Sequence, residues 1–280
     1  MTGYVPPMVR VLTMLSLSVV VFACGKSEVP DAGAVDAGFD AGFVAPVCIP
    51  DREDAGDGDG GLDFSCRGRA RAPGGQAELV ITGKTTRAGF ARTFLAGVQV
   101  DLLDLSGSVL ATAVSTDGGL YRLAFDAGCY AVDGEVRATH PPDDAGFALT
   151  YGVPSAPWQH DRGNLELVMF DSSTSGFAAA LASVTLVPGT AVLALTVEDC
   201  NGNSVAGALV SASDGGDVRY VGAGGLPVTS QTSTAASGQV VIFNVPGSST
   251  TVSATLDGAV IAQRAVPVHA DAVSGTTLSP

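Results

Sequence analysis

Basic residues are scarce in this 280-residue chain: Lys and Arg number 14 against 28 Asp and Glu, giving a formal net charge of −14. Nucleic-acid binding requires a basic face against the phosphates, so the charge balance excludes a nucleic-acid partner. Charged residues make up only 15% of the chain and hydrophobic residues 46%, so the chain can bury a core. The length predicts about two domains.

The apolar run near the N-terminus is too short to cross a bilayer. It comprises thirteen uncharged residues, Val11–Ala23, after Arg10, whereas a spanning helix needs about 20. A basic residue, a short apolar stretch and a final small residue are typical of a secretory signal. We therefore interpret residues 1–23 as a signal peptide.

The run ends in Val21-Phe22-Ala23-Cys24, which resembles the lipobox of bacterial lipoproteins, although Phe22 stands where that family usually has a smaller residue. The resemblance implies a mature chain that begins at Cys24 and is anchored in the membrane through lipid on this cysteine. No Asp follows Cys24 directly, and in Gram-negative lipoproteins this favours the outer membrane. An ordinary secretory signal is the alternative.

Five cysteines are present, and an odd number in an exported protein requires an explanation. With Cys24 lipidated, the remaining four allow two disulfides in an oxidising compartment. They are Cys48, Cys66, Cys129 and Cys200. Three pairings remain open. One of them, Cys48 with Cys66, would close the segment between these two cysteines into a loop and make residues 48–75 a strap on the first domain.

Residues 24–47 repeat Asp-Ala-Gly, a composition that predicts a disordered, flexible linker. Between Glu28 and Asp63 the chain has ten acids and one base, so much of its acidity belongs to this region rather than to a binding face. Residues 54–61 are rich in Asp and Gly, but Ala55 occupies a position where a calcium loop needs a ligand. We therefore expect no metal there.

From Gln76 onward, short runs of Val, Leu, Ile and Thr alternate with turn residues. This pattern predicts an all-β chain with two antiparallel Greek-key-type β-sandwich domains, residues 76–189 and 190–280. The predicted strands are 79–83, 98–102, 120–125, 165–169, 193–197, 208–211, 240–243 and 251–254. Residues 177–182 favour one short helix.

The two sets of strands can be aligned. Residues 96–100 match 206–210, and 116–121 match 234–240 with one additional residue in the second set. The order resembles the carboxypeptidase regulatory-like domain, a transthyretin-like β-sandwich, and residues 197–210 carry the clearest match. The resemblance implies the fold but no activity.

Catalytic motifs are missing from the sequence. It lacks His-x-x-Glu, His-Glu-x-x-His and Gly-x-Ser-x-Gly, and it has only three histidines. A site built on His140, His160 or Asp161 is the least favoured hypothesis, because adjacent residues of an extended chain point in different directions. We expect no enzyme activity, no cofactor and no metal.

Residues 139–162 combine four prolines with several aromatic side chains. They predict a stiff loop inserted in the first domain, in which Tyr151, Trp158 and His160 are candidates for binding a sugar or a peptide. Alternatively, Tyr151 and Trp158 cover the end of the sandwich. The leading hypothesis is therefore a non-catalytic, lipid-anchored cell-envelope protein with a structural or adhesive role. The alternative is a module that binds carbohydrate, peptidoglycan or peptide, with an envelope polysaccharide or protein as partner.

Overall fold

The structure, a computed structural model, describes residues 61–67, 74–89, 93–140 and 146–280. The predicted signal peptide, the Cys24 lipidation site, the acidic linker and Cys48 lie outside these residues. Sixteen strands and one helix are described, and none of the described helical residues forms a helix long and apolar enough to span a membrane.

The strands are β1 (Glu78–Arg87), β2 (Thr93–Phe94), β3 (Gln99–Asp104), β4 (Val109–Val114), β5 (Leu120–Asp126), β6 (Gly134–Thr139), β7 (Thr150–Val153), β8 (Arg162–Met169), β9 (Ala191–Val197), β10 (Leu209–Ala212), β11 (Asp217–Val221), β12 (Pro227–Val228), β13 (Gln239–Val245), β14 (Ser249–Leu256), β15 (Ala259–Pro267) and β16 (Val273–Leu278). The helix is α1 (Ser172–Leu181). These elements include every predicted strand and the predicted short helix.

The strand connections repeat one topology. In the first half, residues 76–189, β1 pairs with β5 antiparallel and with β8 parallel. In the second half, residues 190–280, β9 pairs with β13 antiparallel and with β16 parallel. The other sheet of each half contains β3, β6 and β7 in the first and β10, β14 and β15 in the second. The predicted alignment of the two halves therefore corresponds to a repeated strand order.

A nine-stranded sheet runs through both halves, in the order β12-β11-β13-β9-β16-β7-β6-β3-β4. The halves meet where β7 pairs in parallel with β16, so that Thr150–Val153 lie beside Val273–Thr276. The all-β prediction is confirmed, and most pairs are antiparallel. Three pairs, β1 with β8, β9 with β16, and β7 with β16, are parallel.

The two hydrophobic cores lie on opposite faces of this common sheet. On β7, Gly152 faces Leu167 of β8, whose side chain belongs to the first core, while the next residue, Val153, belongs to the second core. Successive residues of a strand point to opposite faces, so one strand contributes to both cores. The first core is packed between the common sheet and the sheet that contains β1, β5 and β8. The second core is packed between the common sheet and the sheet that contains β10, β14 and β15.

The structure corrects the expectation that residues 139–162 form one loop. They include β7, an interior strand of the common sheet, and Trp158 forms a β-bridge with Val132. The four residues of β7 are buried, because the strand lies between the two cores. Composition rich in proline and aromatic residues concealed a strand of only four residues.

The disulfide pairing is also settled for one pair. Cys66 is bonded to Cys200, with Cα atoms 5.8 Å apart, so the considered Cys48–Cys66 bridge is wrong. Asp63 supports the connection, since its backbone N–H donates to Asp199 and its carbonyl accepts from the N–H of Cys200. Residues 61–67 are therefore attached to the second half, not strapped to the first. Cys129 is disulfide-bonded as well.

Candidate functional site

A groove of about 1370 Å³ lies where the halves meet, and all three candidate binding residues border it. One wall is formed by residues 154–162 and β8, and the other by α1 together with residues 224–227. The floor is the face of the common sheet that is turned away from the second core. Small or uncharged side chains line this floor: Ala194, Thr196, Gln239, Val241, Gly275 and Thr277.

Tyr151 is buried on β7 and is held by its neighbours. Its ring stacks on His269, with centroids 3.8 Å apart and planes inclined by 15°. Burial raises the pKa of the Tyr151 hydroxyl, and the negative charge of Glu135 raises it further. The structure therefore places Tyr151 as a packed residue between the halves, with its backbone at the border of the groove.

Trp158 is a core residue with 8% of its surface exposed. Its backbone exchanges two hydrogen bonds of 2.8 Å with Val132, and its side chain packs in the first core. Trp158 is therefore packed in the first core, whereas Tyr151 lies on an interior strand between the halves. Trp158 still borders the groove, so its emission can report on a bound molecule.

His160 is half-buried in the groove wall, and its buried Nδ1 has no hydrogen-bond partner among the described residues. The adjacent Asp161 points elsewhere, since its carboxylate accepts the backbone N–H of Val80 at 2.7 Å. His140, the other histidine considered, stacks on Phe147 with centroids 4.7 Å apart. The His160–Asp161 sequence therefore does not form an oriented pair.

A polar cluster beside Tyr151 is brought together only by the fold. His269 Nε2 lies 2.8 Å from Glu135 Oε1, and Arg137 donates to Asp101 at 2.8 Å. Burial opposes ionisation of Asp101, but hydrogen bonds from Arg137, Gln99 and Thr112 hold the pKa of this carboxyl below its ordinary value. Because Glu135 and His269 are far apart in the chain, no sequence pattern indicates this contact.

The cluster connects the two halves, since Glu135 lies on β6 and His269 precedes β16. It contains one histidine and one carboxylate in contact, and no group of three or more potential metal ligands exists within the described ranges. The stacking of Tyr151 on His269 and the close approach of His269 to Glu135 suit this cluster to holding the halves together.

Comparison with known proteins gives remote structural similarity only. No protein-family model matches the chain, and no curated protein sequence matches it. The shaft pilin SpaA of Lactobacillus rhamnosus GG is 16% identical over 72% of this chain and 98% of its own, with a TM-score of 0.24. BcpA, the major pilin subunit of Bacillus cereus, is 11% identical over 73% of this chain and 70% of its own, with a TM-score of 0.22.

The Bacillus anthracis TIE protein is 12% identical over 71% of this chain, with a TM-score of 0.23, and the chain spans 33% of its length. TM-scores of this size supply no argument about function.

Proposed function

We propose that the chain is a non-catalytic, lipid-anchored protein of the cell envelope that presents two joined β-sandwiches in a structural or adhesive role. The observation that carries this proposal is the joint itself: one sheet continues through both halves, and their cores lie on its opposite faces. A shared sheet limits movement of one sandwich relative to the other, and this supports a role in which both are presented together.

The Cys66–Cys200 disulfide supports the exported location, because disulfides persist in oxidising compartments. The sequence Val21–Cys24 supports the anchor through its resemblance to a lipobox. With lipid on Cys24, Cys48 is left as the partner of Cys129. We place the anchored protein in the outer membrane of a Gram-negative bacterium, following the absence of Asp after Cys24.

The anchor is tested by replacing the modified cysteine. In a Cys24→Ala strain, we expect the protein to leave the detergent-soluble membrane fraction and to accumulate in soluble form, since no acyl chain is attached. A Ser27→Ala strain is the control, because it changes a residue three positions after Cys24 and leaves every cysteine in place. Equal membrane retention of the Cys24→Ala protein and the natural protein would contradict the lipid anchor.

A second candidate function is the binding of a ligand in the groove. The specific observation in its favour is that the groove is bordered by all three residues that the sequence indicated, Tyr151, Trp158 and His160. Its wall exposes one edge of β8, and that edge indicates which class of ligand fits.

A further inference from the structure

The outer edge of β8 borders the groove along most of the strand. One edge of β8 pairs with β1, from Ile81 with Arg162 to Arg87 with Met169. The groove is lined on the other side by Arg162 and by residues 165–168. Within the described ranges, no strand pairs with this second edge. An open strand edge offers backbone donors and acceptors to another extended chain.

The repeated topology shows what such an edge accepts. In the second half, the counterpart of β8 is β16, since each is the parallel partner of the central strand of its sheet. The outer edge of β16 is occupied, because β7 pairs with it in parallel. The position that β7 fills beside β16 is thus the position that the groove leaves open beside β8.

The backbone of Val168 is directed into the groove. The carbonyl of Met169 accepts the N–H of Ala88 at 2.8 Å, and the carbonyl of Leu165 accepts the Tyr121 hydroxyl at 3.0 Å. Both carbonyls therefore face the β1 and β5 side. Because successive residues of a strand direct their backbone groups to alternate edges, the N–H and C=O of Val168 face the opposite way.

The floor of the groove has the size and polarity that an added strand needs. Four of its residues, Ala194, Thr196, Gly275 and Thr277, carry small side chains without charge. An extended chain beside β8 directs every second side chain toward this floor. Small floor residues leave space for those side chains, and the lack of charge on the floor favours apolar ones.

We propose that the groove binds an extended peptide segment of a partner protein, which adds as a parallel strand to the outer edge of β8 and turns alternate apolar side chains toward the floor. This inference names the ligand of the second candidate function and rests on it. It is independent of the lipid anchor, so the failure of either proposal leaves the other standing. Recognition by strand addition obtains affinity from the backbone and specificity from alternate side chains.

A Val168→Pro variant of residues 25–280 tests the proposal. Proline removes the N–H that faces the groove while leaving the pairing with β1, because Val168 does not donate to β1. The matched control is Val168→Thr, which keeps the N–H. Unchanged circular dichroism and thermal unfolding of both variants would establish that each is folded.

The probe is a displayed library of random decapeptides, selected on the natural sequence. We expect enriched peptides with apolar residues at alternate positions, bound at least about tenfold more weakly by Val168→Pro, the effect of about 1.4 kcal/mol. Binding by Val168→Thr should stay within about twofold. Hydrogen exchange should show slower exchange of the Val168 amide when a selected peptide is bound.

Two results would overturn the proposal. One is a selection that enriches no peptide, or peptides that Val168→Pro binds as well as the natural sequence does. The other is that a soluble envelope polysaccharide binds saturably, as measured by Trp158 emission, and competes with the selected peptides, while Val168→Pro leaves this binding unchanged. That outcome would assign the groove to a sugar rather than to a strand.

Discussion

At the residue scale, the Asp171 carboxyl lies between the end of β8 and the start of α1, and its surroundings shift its pKa strongly. Its side chain accepts from the Ser173 hydroxyl, from the backbone N–H of Thr174 and from the Arg87 guanidinium, and it caps the N-terminus of α1. The hydrogen bonds from Ser173, Thr174 and Arg87 hold the pKa of Asp171 well below its usual range. A single residue thereby connects β1, the end of β8 and the helix that forms one wall of the groove.

We expect Asp171→Ala to lower the free energy of unfolding by about 2 kcal/mol, because the helix cap and the contact with Arg87 are both lost. The native pKa is depressed, so this stability is complete above the unfolded value of about 3.9 and is lost as the pH falls toward the native pKa. Urea unfolding at pH 7 and at pH 3 measures both effects. Asp117→Ala, at an exposed turn, is the control, and a difference that persists unchanged at pH 3 would contradict the explanation.

At the element scale, the two halves share one turn in atomic detail. Thr85 N–H donates to Gly119 O at 2.8 Å in the first half, and Val197 N–H donates to Gly238 O at 2.9 Å in the second. Ser115 and Thr234 accept equivalent backbone N–H groups through their hydroxyls. Ser115, not Thr116, is thus the counterpart of Thr234, which corrects the predicted alignment by one residue and removes its additional residue.

Both glycines of this turn are required by space as well as by conformation. Each has a positive φ, and a Cβ on either would lie 2.6 Å from a backbone carbonyl oxygen, that of Thr85 or Val197. We expect Gly119→Ala and Gly238→Ala to destabilise the protein by similar amounts, about 2 kcal/mol or more each. Thermal unfolding checks this.

The control is Gly202→Ala, which also has a positive φ but an open surrounding. Gly202→Ala should lower the free energy of unfolding by about 1 kcal/mol, because only the positive φ disfavours alanine there. Equal effects at Gly202 and Gly238 would show that the close approach contributes nothing.

At the scale of the whole molecule, the Cys66–Cys200 disulfide joins residues separated by 134 positions. It encloses the whole first half and β9 in one covalent loop. Replacing both cysteines by Ala should lower the free energy of unfolding by about 5 kcal/mol, because the unfolded chain regains the freedom that the long loop restricts. The urea midpoint of oxidised natural protein and variant measures it, and an unchanged midpoint would contradict the role of the crosslink.

The local elements follow from the sequence because their patterns are local. Alternating runs such as Leu120–Phe125, and the turn at Asp199–Gly202, depend on neighbouring residues, and the structure has a strand and a turn there. The repeated topology was also readable, because turn residues with small side chains recur in the same order in both halves.

The joint between the halves was decided by the tertiary structure alone. The pairing of β7 with β16 brings Tyr151 beside Ser274, and the fold places His269 against Glu135, although these partners lie more than a hundred positions apart. Trp158 shows most clearly what the sequence cannot reveal, because a proline-rich segment around an aromatic residue looks the same whether that residue is buried or exposed. Strand periodicity depends on adjacent residues and can therefore be recognised in the sequence. The neighbour with which a strand pairs depends on how distant parts of the chain pack together.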